Sequence, residues 1–158
     1  MTRRLCLACV ALLVTGCESR DVTTDLKIVN VQTGWYDTGL IEGGMNKLVP
    51  SISLELENVS ARGIASVQLN AVFKRVKEDE SWGDHFVRAI DTSGLDAGAI
   101  TKPIVLRSPR GYTGTEARLQ MLQNSQFVDA RVEVFGKHGR RPWARMGEFA
   151  INRRLLTQ

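Results

Sequence analysis

Alternation of apolar and polar side chains, the pattern of a strand with one buried face, recurs along most of the chain. It is cleanest where Val67, Leu69, Ala71 and Phe73 alternate with Gln68, Asn70, Val72 and Lys74. Ile52, Leu54 and Leu56 alternate with Ser53, Glu55 and Glu57, and that strand stops at Asn58-Val59-Ser60. Val128, Ala130, Val132 and Val134 alternate with Asp129, Arg131 and Glu133 in a strand ending at Gly136. Leu26–Gln32 is a further strand, and Trp82–Ile90 returns as the hairpin partner of the Phe73 strand after the charged turn Lys77-Glu78-Asp79-Glu80. Ile100–Arg107 is extended, with Pro103 placing it at a sheet edge because proline cannot donate to a ladder. Pro142–Arg153 returns after the Lys137-His138-Gly139 turn, which makes a C-terminal hairpin.

Between these strands the pattern breaks into turns and one helix. Gly34–Gly39 reads as a loop with two aromatics, Trp35 and Tyr36, a lid on the core rather than a ligand platform, and Gly43-Gly44-Met45-Asn46 reads as a turn. Asp91–Ala99 is rich in turn residues, and Ser108–Gly114 is a loop. Thr115 is placed to cap a short helix over Glu116–Gln123 that turns Leu119 and Leu122 inward. About seven strands, a turn every ten or so residues and one short helix predict an all-β sandwich over residues 26–158.

The first residues follow a different pattern. Arg3 and Arg4 precede an apolar run from Leu5 to Thr15, and Gly16 fills a small position before Cys17, the order of a secretory signal. As a helix that run would rise about 16 Å, well short of a hydrocarbon core of about 30 Å, so a permanent span is not expected. Leu13-Val14-Thr15-Gly16-Cys17 resembles the lipobox of bacterial lipoproteins. The resemblance implies that residues 1–16 are removed, that the Cys17 thiol carries a diacylglyceryl group, and that Cys17–Asp25 forms the lipidated residue and a tether. Glu18 after Cys17 resembles the default outer-membrane sorting pattern of Gram-negative lipoproteins, which implies an outer membrane protein facing the periplasm.

Ile52–Arg107 carries a second resemblance. A strand, Asn58-Val59-Ser60, a long strand through Phe73, a charged turn, a second strand and Gly94-Leu95-Asp96-Ala97-Gly98 together are similar to FxLYD-type immunoglobulin-like domains of bacterial envelope proteins. Where that family has Tyr-Asp after its phenylalanine, this chain has Lys74-Arg75-Val76. The resemblance implies an immunoglobulin-like sandwich in an extracytoplasmic setting and carries no activity.

Length and composition fit these expectations. The chain has 158 residues and a net charge of +4; without the leader, about 140 residues suit one domain. Cys6 and Cys9 would leave with the leader, and Cys17 would be a thioether, so no disulfide is expected. Charge is uneven: Glu18–Ala130 holds twelve basic and fifteen acidic residues, whereas Arg131–Arg154 holds seven basic residues against Glu133 and Glu148.

Motifs for chemistry are sparse. His85 and His138 are the two histidines, too few for a usual zinc site, and no cofactor is expected. Asp84 and His85 are strand neighbours pointing to opposite faces, so His85 reads as a surface histidine rather than a base held by a carboxylate. Asp91-Thr92-Ser93-Gly94-Leu95-Asp96 reads as a turn, lacking the later acidic ligand of a calcium loop. Glu78-Asp79-Glu80 reads as a solvated turn rather than an acid/base pair.

The positive signal is the basic hairpin, where Lys137, Arg140 and Arg141, with Trp143 nearby, are candidate contacts to an anionic surface. The sequence therefore points to a lipid-anchored, non-enzymatic envelope protein. It would act as an interaction or structural module for an envelope protein or anionic polymer, with no nucleic-acid partner. The alternative is an accessory subunit or small hydrolase acting on cell-wall or lipid material.

Overall fold

The computed structural model describes residues 21–156. In chain order the elements are α1 (Val22–Asp25), β1 (Leu26–Ile41), β2 (Met45–Asn58), β3 (Val67–Arg75), β4 (Gly83–Ile90), β5 (Ile104–Arg107), β6 (Tyr112–Gly114), α2 (Arg118–Gln123), β7 (Ala130–His138), β8 (Ala144–Ala150) and β9 (Leu155–Leu156). One sheet runs β5-β2-β1-β9, with β6 also paired to β2, and the other runs β4-β3-β7-β8. The result is an all-β sandwich. Its short helices lie outside both sheets.

Period-two patterning builds the core. In β3 the buried positions are Val67, Leu69, Ala71 and Phe73, and β7 aligns Val134 with Ala71 and Val132 with Phe73. From the facing sheet β2 supplies Ile52, Leu54 and Leu56, each fully buried, and β5 supplies Leu106. Two inward faces of branched and aromatic side chains thus interdigitate, the usual means by which packed sheets exclude water. β5 lies at a sheet edge directly after Pro103, as the missing N–H of proline requires.

Several local expectations are corrected. β1 runs unbroken through Gly34–Gly39, where the pattern predicts a loop, and Trp35 within it is fully buried. A bulge between Val29 and Gln32, with Asn30 at φ 51°, interrupts the alternation, and a second lies between Asp37 and Leu40. Gly34 serves close approach rather than a turn: a Cβ there would lie 2.8 Å from the Leu156 side chain. The loop expected over Ser108–Gly114 contains β6. The Val134 strand continues past Gly136 to His138.

Helix α2 begins at Arg118, with Ala117 rather than Thr115 at its N-cap and no side-chain cap bond. The later start rotates the inward face to Met121 and Leu122, and Leu119 is 61% exposed. The tether expected over residues 18–25 is folded from Asp21 onward, where the Asp21 carboxylate accepts from the Thr23 N–H at 2.9 Å and caps α1. Val22 is buried and packs over Gly136, where an added Cβ would lie 3.3 Å from its Cγ2. The leader, Cys17 and the lipobox lie outside the described residues.

Asn58 closes β2 and is fully buried. Its Nδ2 donates to the carbonyls of Arg62 and Leu95, both at 2.9 Å, and Asp96 at 3.1 Å. Its Oδ1 accepts from the Ser60 N–H at 3.1 Å and hydroxyl at 2.7 Å. The segments it grips belong to two of the four connections that pass from one sheet to the other, β2 to β3 and β4 to β5.

Two stability predictions follow from burial. Phe73→Ala should cost about 3–5 kcal/mol, whereas Leu119→Ala should fall within about 0.5 kcal/mol of the parent, as read from urea unfolding midpoints. Asn58→Ala should cost about 3 kcal/mol or more, because several buried carbonyls lose their donor together. A midpoint for Asn58→Ala equal to that of the parent would show that water replaces the amide without penalty.

Candidate functional site

β3 runs from Val67, opposite His138, to Arg75, opposite Ala130, so its two ends define the two ends of the sandwich. The His138 end carries α1, the turn between β7 and β8, and the Asp91 loop. The Gly139 N–H donates to Ser66 O at 2.9 Å, and the Ser66 N–H donates to Asp91 O at 2.9 Å. The Arg75 end carries α2, Trp82 and the segment around Phe127.

Most of the basic residues after Ala130 have partners. Arg131 Nη1 lies 3.2 Å from Glu148 Oε2 and 3.6 Å from Glu133 Oε1, and its Nη2 lies 3.4 Å from Asp79. Lys74 Nζ lies 2.8 Å from Glu133, and Arg145 bridges Glu133 and Glu148. Arg153 pairs with Asp129 at 2.6 Å and also donates to the carbonyls of Leu122 and Phe127. Arg154 Nε donates to Thr33 O at 2.9 Å. Among the described residues Lys137, Arg140 and Arg141 form no ion pair, and all three belong to the β7–β8 turn or its flank.

That turn has a defined shape. Gly139 takes φ 56°, and the Arg141 N–H donates to His138 O at 3.1 Å. Lys137 Nζ sits 5.1 Å from the centre of the Trp143 ring, and Trp143 meets Phe86 of β4 edge to face at 6.0 Å. The two rings are 41% and 53% exposed, an aromatic pair lying in solvent on the outer face of the sheet. Register places Arg88 of β4 and Lys137 of β7 on either side of Gln68. Beneath Trp143 a cleft of about 210 Å³ is bounded by Asp21, Val22, His138, Arg141 and Ala144, so the start of the folded chain abuts the basic turn. The Asp21 carboxyl is held below its ordinary range, first by the Thr23 backbone and hydroxyl bonds and less by the Arg141 charge.

An aromatic cluster not legible in the sequence occupies the other end. Phe127 lies 4.6 Å from both Trp35 and Tyr112, and Trp82 lies 5.0 Å from Tyr112. Arg153 covers Phe127 at 5.1 Å, and Arg75 approaches Trp82 at 5.9 Å. A shallow cleft of about 170 Å³ opens beside Tyr112, Glu116, Met121 and Phe127, smaller than the roughly 300–1,000 Å³ of small-molecule sites. The four rings come from β1, β6 and two connecting segments, and only the tertiary fold brings them together.

His85 is neither a surface residue nor part of a carboxylate pair. It is half-buried at the seam between the sheets, where Nδ1 accepts the Arg107 N–H at 2.9 Å and so joins the edges of β4 and β5. Asp91 is a turn carboxylate: its Oδ1 accepts from the Ser93 N–H at 2.8 Å, and this residue's bonds hold its pKa below the ordinary range. Among the described residues no group of three or more His, Cys, Asp and Glu side chains is placed to hold a metal ion. No described helix is long and apolar enough to cross a membrane.

No protein-family model and no curated protein matches the chain. A Northeast Structural Genomics Consortium target solved by X-ray crystallography is similar in structure at 9% identity and a TM-score of 0.47, over 83% of this chain and 89% of that one.

Glu133 supplies a test of the ion-pair group. Its carboxyl is held below its ordinary 4.5, first by the Lys74 hydrogen bond, and its side chain is 14% exposed. As pH falls the unfolded chain takes up this proton before the folded one. The contribution is therefore whole above the ordinary value and is lost as pH drops through the lower folded value. Glu133→Gln removes it, so the loss of stability between about pH 7 and about pH 3 should be smaller in the variant than in the parent in urea titrations. An unchanged loss would mean that the pairs contribute nothing.

Proposed function

We propose that the chain is a lipid-anchored, non-enzymatic envelope protein with an immunoglobulin-like sandwich, attached through Cys17 and acting as an interaction module. The observation that carries this reading is the lipobox-like run Leu13–Cys17, whose cysteine lies four positions before Asp21, the first described residue and the cap of α1. Four residues reach at most about 14 Å when extended, so a domain anchored at Cys17 is held against its membrane rather than far out from it.

Two or three acyl chains on Cys17 would hold essentially irreversibly, since each buried methylene is worth about 0.8 kcal/mol. The domain's own features favour binding. Exposed aromatic and basic groups stand at one end, and the half-buried imidazole of His85 is engaged with a backbone amide rather than a nucleophile.

Cys17→Ala should abolish incorporation of a labelled fatty acid while the protein is still made. Labelling of the variant equal to that of the parent would refute the anchor.

A further inference from the structure

We propose that the β7–β8 turn, with Trp143 and Phe86, seats the domain on the anionic headgroup layer of the same bilayer that holds Cys17. This deepens the anchored reading and rests on it.

The first support is placement. Asp21, the first described residue, lines the same cleft as Arg141 and Trp143. With at most about 14 Å of chain between Cys17 and Asp21, an anchor must bring this end of the sandwich, and not the Phe127 end, to the lipid surface. The second is charge. Lys137, Arg140 and Arg141 form no ion pair among the described residues, while Arg131, Arg145 and Arg153 are engaged by Glu133, Glu148, Asp79 and Asp129. Arg88 adds a fourth cation across Gln68. The neighbouring carboxylates Asp21 and Asp91, bonded by Thr23 and Ser93, keep their charge and are outnumbered by these four cations.

The third support is the aromatic pair. Trp143 and Phe86 expose rings on the outer sheet face beside these cations, and Lys137 lies over the indole. Amphipathic rings next to basic side chains match the chemistry of a headgroup layer, where indole is favoured at the boundary and each cation is attracted by anionic lipid. A soluble acidic polymer would satisfy the charges but leave the rings in water.

The experiment uses the acylated protein reconstituted in vesicles of brominated phosphatidylcholine, with and without phosphatidylglycerol, and reads quenching of tryptophan fluorescence. Trp35 is fully buried, and Trp82 is half-buried against Trp35 and Tyr112 at the opposite end, so contact quenching reports Trp143. Phosphatidylglycerol should increase quenching, added salt should weaken it, and Trp143→Phe should remove it. Changing Lys137, Arg140 and Arg141 together to Ser, all on the surface turn, should weaken the phosphatidylglycerol dependence by about tenfold or more. Equal quenching in both vesicle types, or an unaltered triple variant, overturns the proposal. So does a Trp143 response to soluble polyglutamate without one to phosphatidylglycerol. Mass spectrometry of the acyl group tests the anchor separately: an acylated protein whose Trp143 is not quenched refutes the seat alone, whereas a protein without acyl chains refutes the anchored reading and the seat with it.

Discussion

The sandwich depends on one buried side chain, that of Asn58. Packing two sheets face to face requires the chain to cross between them, and each crossing strands backbone carbonyls where strand pairing has ended. Asn58 answers this at the close of β2 by donating to Arg62, Leu95 and Asp96 while accepting from Ser60. Its own backbone also takes part, donating to Ala99 O and accepting from the Gly98 N–H. An apolar residue would fill the space but leave the carbonyls unpaired, and an aspartate would accept where donors are needed. These two of the four crossings hold β3 and β4 over β2 and β5, around the core that runs from Ile52 to Phe73.

With the β2–β3 and β4–β5 crossings at one end and the β6–β7 and β8–β9 crossings at the other, the two ends of the molecule differ in kind. At the Arg75 end the turns are joined by rings packed in tilted and edge-on pairs, with Arg153 tying Phe127, Leu122 and Asp129 together. At the His138 end the turns are joined by backbone hydrogen bonds, and the aromatic side chains there lie outside the core. Between them the outer face of the β3–β7–β8 sheet is laced by Lys74, Arg131, Arg145, Glu133 and Glu148. Burial of Glu133 among three cations makes this lacing more than a set of solvated pairs, since its charge is partly withdrawn from water.

The sequence was legible wherever a strand has one wet and one dry face. Val67–Phe73 and Ile52–Leu56 show that alternation, and both lie where it places them. β1 was not legible, because Asn30 shifts its alternation at a bulge and because Gly34 and Gly39 look like turn residues. The role of Gly34 is set by Leu156 at the far end of the chain, a contact that no local window contains. Thr115 carries a capping side chain, but Asn46 instead bonds Glu116 O and the helix starts later. The basic turn was visible as a charge imbalance. Its division into paired and unpaired cations depended on Asp79 and Asp129, which are distant in sequence and near in space. The cluster of Trp35, Trp82, Tyr112 and Phe127 had no sequence signature.

The parallel pairing of β9 with β1 has a consequence for the order of events in folding. Trp35 is among the earlier residues to be synthesised, yet its N–H is satisfied by Arg154 O at 2.8 Å, and Thr33 bonds both Ala150 and Asn152. These contacts span up to 119 positions, so the edge of the first strand stays open until nearly all of the described chain is available. Loop closure over such distances is slow, and a nascent chain lacking residues 150–156 would leave that edge free to pair with another molecule. The native state is thereby completed only when residues 150–156 close the edge that β1 leaves open.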